Sequence, residues 1–358
     1  MIIERRTQKR ESSDLPYIEY ADIIPNIGRL NKDIFSRKNT KHGIYFQKND
    51  ILFGKLRPYL NNWLKPQFEG IAVGDFWILN GIKLNNDFLY YYIQTKKFSD
   101  VANVTTGTKM PRADWNLVSN LKIKFPNFEE QQNIGKLLYS LEKLITLYER
   151  KKELLKKFQQ GFSDILFKKN PKECVSLGDY FYFNKGKNIG NKDLINNGKY
   201  YAIVYGELYT TYNYVISKVF SKTSIKGFKG RKNDLLFPSS STVPFGTATC
   251  SALEIDNIEL GNDIIVARPK NTNELDSAFI SYQINSKRKI LYPIISGTTI
   301  THMYSKDLSK IRIWLPNITT QNYISNILQR ISHLNILVDK KVNILKEIKK
   351  EFLNTMFI

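Results

Sequence analysis

The stretch Leu121 to Leu138 reads LKIKFPNFEEQQNIGKLL, and Ile311 to Leu328 reads IRIWLPNITTQNYISNIL. Pro126 and Pro316 stand 190 residues apart, and the same interval joins Asn127 to Asn317, Gln131 to Gln321, Ile134 to Ile324 and Leu138 to Leu328. It also joins Gly107-Thr108 to Gly297-Thr298, and Phe162 and Phe167 to Phe352 and Phe357. A fixed register over so many Pro, Gly and Phe positions is the signature of an internal repeat. Further upstream, Lys48-Asn-Asp-Ile-Leu-Phe53 matches Lys232-Asn-Asp-Leu-Leu-Phe237 at an interval of 184, so the intervening loops differ in length while the framework does not. One unit is present twice.

The hydrophobic period changes within each unit. Residues 1–126 and 170–316 carry short runs rich in β-branched and aromatic side chains, such as Ile44 to Phe46, Ile51 to Phe53, Tyr200 to Val204, Ile264 to Ala267 and Ile311 to Leu315. Gly, Asn, Pro and Ser punctuate them, which predicts strands and turns. Phe88 to Lys97 and Ser277 to Ser286 read as helices among these strands, so both parts are mixed α/β.

The remaining parts, 127–169 and 317–358, read as single long helices. Asn127 and Asn317 can cap them, and Glu130 stands at the capping-box spacing from Asn127. Apolar residues then recur in steps of three, four or seven at Ile134, Leu138, Leu141, Ile145, Tyr148, Leu155 and Phe162. The second copy gives Ile324, Leu328, Ile331, Val338, Val342, Leu345, Phe352 and Met356. Each stripe holds one helix face, and each helix would run about 40 residues, roughly 60 Å. A narrow stripe on so long a helix needs a partner, and the other copy supplies one, giving a two-helix coiled coil; a packed helical bundle is the alternative.

The chain's 54 Lys and Arg against 33 Asp and Glu leave a net charge of +21. Such a surplus lies on the surface and attracts polyanions, nucleic acid first, although a bias of coding composition toward Lys, Asn and Ile would also raise it. No secretory leader or apolar run of membrane-spanning length is visible, so a cytoplasmic chain without membrane association is expected. Two cysteines, Cys174 and Cys250, and three histidines supply a metal site poorly; no metal or cofactor is expected, and both thiols are expected free and buried.

Two variable α/β domains alternating with a near-repeated long helix resemble the specificity subunits of type I restriction-modification systems. The segments that carry the resemblance are FPNFEEQQNIG and LPNITTQNYIS at the helix starts, GTKMPR at Gly107 to Arg112, and the KKFQQGFSDILF and IKKEFLNTMF patterns at the helix ends. In the second copy Thr319-Thr320-Gln321-Asn322 replaces Glu-Glu-Gln-Gln and GTTITH replaces GTKMPR. The resemblance implies an α+β chain with two target-recognition domains in pseudo-symmetric repeat, separated by two long antiparallel helices. It implies that each domain reads one half of a split double-stranded DNA site, and that two modification (methyltransferase) subunits dock on the framework and restriction subunits join them. The S-adenosylmethionine and the catalysis would then belong to the modification subunits, with no catalytic residue in this chain. Two unlike readers on a stiff rod bind half-sites at one separation only, as half-site spacing mirrors symmetry in dimeric regulators.

Val175 to Phe183 opens the second unit and has no counterpart before Met1. The first domain is therefore expected to lack its initial strand, leaving an extra strand edge or an altered or inactive reader, or else to be completed in space by the C-terminal end of the chain.

Duplex affinity comes from cations against phosphate, and sequence is read by forked donors and amides at base edges. Lys55, Arg57, Tyr59, Asn61, Asn62 and Trp63 supply both after the Lys48-to-Phe53 strand, and Arg112 follows nearby. In the second domain Ser239, Ser240, Ser241 and Thr242 take the matching place, preceded by Lys222, Lys226, Lys229 and Arg231. The paired loops Thr105-Thr106-Gly107-Thr108-Lys109 and Ser296-Gly297-Thr298-Thr299 combine glycine with hydroxyls suited to phosphate or base, or are plain turns before a strand. Two other functions are poorly supplied. A stand-alone adenine methyltransferase needs an Asp/Asn-Pro-Pro-aromatic motif and a Gly-rich cofactor loop, neither of which is present, and the nuclease-like Glu149-Arg150-Lys151 and Glu347-Ile348-Lys349 fall on charged helix faces. A non-specific basic coiled-coil scaffold would have no use for two divergent domains.

Overall fold

The computed structural model describes residues 3–11, 14–37, 41–104, 110–167, 174–243 and 245–357. Two compact units divide the chain: Met1–Arg150 with Lys340–Ile358, and Lys151–Asp339. Each unit thus takes a part of both long helices, Phe128–Leu166 and Ile318–Thr355.

In the first unit, antiparallel strands Ile3–Arg6, Phe76–Gly81, Ile51–Gly54 and Trp63–Leu64 lie in that order. A second four-stranded sheet joins Lys9–Glu11, His42–Phe46, Gly70–Ala72 and Tyr17–Ile18, with the last pair parallel. The second unit repeats the central arrangement: Phe181–Lys185, Ile264–Pro269 and Leu235–Pro238 stand in the same antiparallel order, extended by Ser251–Leu253 and Val215–Ile216. Ile3–Arg6 thus takes the place of Phe181–Lys185 without side-chain identity, which corrects the expectation that the first domain lacks this opening strand.

The Lys-Asn-Asp motif proves to be the turn that launches the central strand. Asn49 and Asn233 adopt left-handed backbone at φ 68° and 71°, a conformation asparagine tolerates well. Asp50 and Asp234 are buried and paired, Asp50 with Arg6 at 2.7 Å and Asp234 with Arg268 at 2.7 Å. Each carboxylate also accepts a backbone N–H three residues upstream, from Gln47 and Arg231.

At the helix starts, Asn127 Oδ1 accepts the Glu130 N–H and Asn317 Oδ1 accepts the Thr320 N–H, both at 2.9 Å. Gln131 and Gln321 are buried and reach across to the reading domains: Gln131 Oε1 accepts the Asn85 N–H at 2.8 Å, and Gln321 Oε1 accepts the Asp276 N–H at 2.9 Å. Asn85 and Asp276 themselves cap helices Asn86–Tyr92 and Ser277–Ser286. Gly135 lets the long helix approach the first of these, since a Cβ there would lie 2.6 Å from Asp87 Cβ. The helix expected over Phe88 to Lys97 is two helices, because the Thr95 hydroxyl accepts the Phe98 N–H and starts a new one at Lys96–Ala102.

The long helices pair antiparallel within each unit. In the first, Glu149 meets Lys346 at 2.8 Å and Glu142 meets Lys349 at 3.3 Å; in the second, Lys152 meets Asp339 at 2.6 Å and Gln159 bonds Ser332 and Asn335. The middle of the stripe lines this pairing: Ile145, Ile331, Val338, Val342 and Leu345 are buried, while Leu141 and Leu155 are half-buried. Its ends have another role, which corrects the expectation of a coiled-coil interface along the whole stripe. Ile134, Leu138, Phe352 and Met356 pack into the core of the first unit, and Phe162, Ile324 and Leu328 into that of the second, because the domain cores offer larger apolar surfaces there.

Strand Cys174–Ser176 pairs with Arg312–Trp314 in the second unit. The matching residues 122–124 of the first unit are in no strand. The end of the second long helix does enter the first core, where the Phe357 ring lies 4.7 Å from Phe88, just as Phe167 lies 5.6 Å from Phe279 in the second unit. Among the described residues, no helix is long and apolar enough to cross a membrane, and no group of three or more His, Cys, Asp or Glu could hold a metal ion. Cys250 is buried, which pushes its thiol up to about 12, whereas Cys174 is only half-buried.

Candidate nucleic-acid interface

The structure joins segments that the sequence offered separately. In the second unit, Ser240 pairs with His302 and Ser241 with Thr301, and Ser296 pairs with His302, so Ser239 to Thr242 and the Gly297-Thr298-Thr299 turn belong to one three-stranded edge. Thr301 Oγ1 donates to the Ser241 carbonyl at 3.2 Å. Gly297 has φ 96°, and a Cβ there would lie 2.1 Å from the Ile300 carbonyl oxygen, so the turn requires glycine for its conformation and its space. Thr298, Thr299 and Thr242 are exposed.

The first unit repeats the pairing. Leu56 bridges Arg112, the Arg57 N–H donates to the Pro111 carbonyl, and the Ala113 N–H donates to the Lys55 carbonyl. These are the positions of Ser240 and His302 at the intervals of 184 and 190. Thr106, Gly107, Thr108 and Lys109 lie outside the described residues.

The two edges differ in chemistry. In the first, Asp75 holds Arg112 at 2.9 Å and Lys55 at 3.5 Å. Burial works to raise the Asp75 carboxyl, but the Arg112 hydrogen bond and the charges of Arg112 and Lys55 outweigh it and keep the carboxyl below its ordinary value. Arg57 is exposed and makes no side-chain hydrogen bond or ion pair among the described residues, so its guanidinium is the donor left uncommitted. Arg57 and Asn61 both have left-handed backbone, φ 50° and 55°, on either side of the short turn Pro58–Leu60. Asn61 is fixed to Asn26, which accepts its amide at 2.8 Å and donates its own backbone N–H to the Asn61 carbonyl at 3.0 Å. Tyr59 projects, 55% exposed. The second edge carries hydroxyls and His302 where the first carries cations.

Some expected residues do not face outward. Asn62 is buried beside strand Trp63–Leu64, and its carbonyl accepts the Gly54 N–H. Ser240 and Ser241 are buried too, the Ser241 hydroxyl being spent on the backbone of Val243 at 3.0 Å. Side chains that close a tight loop are drawn into it, which residue type alone does not reveal. Lys229 and Arg231 are exposed but precede strand Leu235–Pro238, while Ser239 to Thr242 follow it, so the strand separates them. Lys222 and Lys229 belong instead to the sheet Lys222–Thr223, Tyr200–Ile203, Ile258–Leu260 and Phe228–Gly230, with Lys226 in the loop between. Asp75, Asn26 and His302 were not anticipated; each acts through a contact distant in sequence and has no local signal.

One backbone frame bearing two unlike edges, carried on paired long helices, defines a double recognition module. The chain belongs to the family described as type I restriction modification DNA specificity domain, whose model matches residues 2–157 and 170–350. It is 23% identical over 353 residues to the type I restriction enzyme MjaVIII specificity subunit of Methanocaldococcus jannaschii, covering 91% of this chain and 80% of that protein. The crystal structure of the type I restriction-modification S subunit from M. genitalium shares its fold, with a TM-score of 0.64 at 16% identity over 99% of this chain and 96% of the other. A chain solved in work on complex assembly and conformational transition of the type I R-M system gives 0.55 at 17% identity, over 100% and 95%.

Proposed function

We propose that this chain is the sequence-reading subunit of a type I restriction-modification complex in the cytoplasm. Domains 1–126 and 170–316 each read one half of a bipartite double-stranded DNA site. The helices 127–169 and 317–358 hold two modification subunits, which restriction subunits join, and the chain itself contributes no catalytic group or cofactor. The observation that carries this reading is the pair of equivalent edges with different side chains, Lys55 to Arg57 against Pro111 to Ala113 and Ser239 to Thr242 against Thr301 to Met303. A repeated frame whose edges carry different outward chemistry suits two different half-sites.

Within the first edge, Arg57 is assigned to a base edge, and Lys55 and Arg112, already neutralised in part by Asp75, to phosphate or to holding the loop. Within the second, Thr242, Thr298 and Thr299 are the outward hydroxyls. Support for two copies of one partner comes from a second apolar stripe. The first unit leaves Leu144, Leu147 and Ile344 exposed, and the second leaves their counterparts at the 190-residue interval, Leu334, Leu337 and Leu154.

The test is to expose DNA to the chain together with its modification subunit and map the methylated adenines. A split consensus is expected, with Arg57→Ala relaxing one half only. Methylation without sequence preference would falsify the assignment, as would methyl transfer or cleavage by this chain alone.

A further inference from the structure

The loop that follows the reading segment carries exposed apolar side chains in both units, although it is fastened differently: by Asn26 on Asn61 in the first and by Ser241 and Gly246 on Val243 in the second. At the 184-residue interval Asn61 corresponds to Phe245, and both are left-handed, φ 55° and 56°. Asparagine accommodates that backbone; a phenylalanine there is a genuine outlier that asparagine or glycine would relieve. The strain is not repaid by burial, since Phe245 is 54% exposed. Hydrogen bonds nevertheless tie together the described residues around it. Ser241 Oγ holds Val243, the Gly246 N–H donates to the Val243 carbonyl at 2.9 Å, and a Cβ on Gly246 would lie 2.2 Å from Ser241 Oγ. The ring itself leans on Tyr292, centroids 4.5 Å apart and planes 30° apart, which leaves its other face uncovered.

The surroundings select what could cover it. Arg288 is exposed, begins the short helix Arg288–Ile294 that carries Tyr292, and donates to the Ala248 carbonyl at 2.8 Å, three residues past Phe245 in sequence, so the element the ring leans on also carries a cation. In the first unit, exposed Tyr59 and Leu60 occupy the equivalent tip beside Arg57, whose side chain has no partner among the described residues. An apolar group flanked by cations, on the loop that carries the reading edge, matches a polyanion with apolar faces inside it, which is the description of a DNA groove.

We infer that Phe245 and Tyr59 are specificity-determining residues, each making an apolar contact with base edges in one half-site while the neighbouring arginine faces the backbone or an adjacent base. The inference rests on the DNA reading proposed above. Bulk apolar contact distinguishes bases through the thymine methyl and through how easily a step deforms, neither of which hydroxyls can read.

The test measures binding of the chain with its modification subunits to its cognate duplex and to an unrelated one across a salt series. Phe245→Asn relaxes the backbone while removing the ring. It is expected to bind the cognate duplex about tenfold more weakly, with unrelated binding, the salt slope and the thermal midpoint held or the midpoint raised. Tyr59→Ala, at a position without left-handed backbone, is expected to give the same loss for changes in the other half-site. Cognate affinity unchanged in both variants overturns the inference. So does a loss shared equally by both duplexes with a shallower salt slope, or a loss of modification subunits with DNA affinity intact. A wild-type complex without preference between the duplexes defeats the broader DNA reading instead.

Discussion

Gln131 Oε1 and the backbone N–H of Asn85 meet at 2.8 Å inside the first unit, so the long helix is locked to the reading domain at the residue that caps a domain helix. The Gln131 amide is used at its other end as well, donating to the Pro126 carbonyl at 2.9 Å. Gln321 repeats this with Asp276 and Pro316. Removing a buried partner strands the group left behind at a cost of roughly 1–3 kcal/mol. Gln131→Ala and Gln321→Ala are therefore each expected to destabilise the chain by that amount, read as a lower denaturant midpoint. A change of a few tenths would show that water replaces the amide.

Leu138 and Leu147 lie on one helix with opposite expected outcomes. Leu138 is fully buried in the first core, and Leu138→Asp is expected to cost more than about 3 kcal/mol and to unfold that unit. Leu147 is 55% exposed, so Leu147→Asp with Leu337→Asp is expected to leave the melting curve unchanged and to abolish copurification of the modification subunits. Intact complexes on size exclusion would remove the outer stripe from the docking surface.

Arg57 is expected to act by base contact. Arg57→Ala should cost roughly 10- to 100-fold at one half-site, the range of one good bidentate contact. Lys55→Ala and Arg112→Ala should lower affinity more evenly across sequences and shallow the salt slope by about one. Equal behaviour of all three in salt titrations would place Arg57 on phosphate.

Glu149 joins Arg29 at 2.8 Å and Lys346 at 2.8 Å. Burial tends to raise its carboxyl, but hydrogen bonds and charge from Lys346 and Arg29 prevail and hold it below the ordinary carboxylate value. A carboxylate lowered on folding stabilises above its unfolded pKa, about 4.3, and that contribution disappears as pH falls through the lowered folded value. Both cations are partly in water, so Glu149→Gln is expected to cost only about 0.5–1 kcal/mol at pH 7 and nothing in acid. Thermal melts from pH 3 to 7 check this; a gap that widens toward low pH would reverse the sign.

Features governed by local period were legible in the sequence. The 190-residue register, both capping asparagines, the helix Ser277–Ser286 and the central strands all follow from neighbours a few residues apart. Legibility ended where distant residues decide. The stripe residues Leu138 and Leu328 look alike to those of the mid-helix pairing, yet face domain cores, because the period tells that a face is covered and not by what. Arg112 looked as available as Arg57 until Asp75, 37 residues upstream of it, was seen to hold it. Asn62 and Ser241 have the residue types of a reading loop but serve as its internal fasteners.

Phe357 has a consequence for synthesis. The unit Lys151–Asp339 is continuous, so every contact it needs has been translated once that span leaves the ribosome. The other unit waits: its core takes Phe352, Met356 and Phe357 from the last turns of the chain, hundreds of residues after Ile51 and Trp77 have emerged. On a vectorially made polypeptide the domain encoded first is thus the one finished last, and during that interval its apolar surface is the natural client of chaperones.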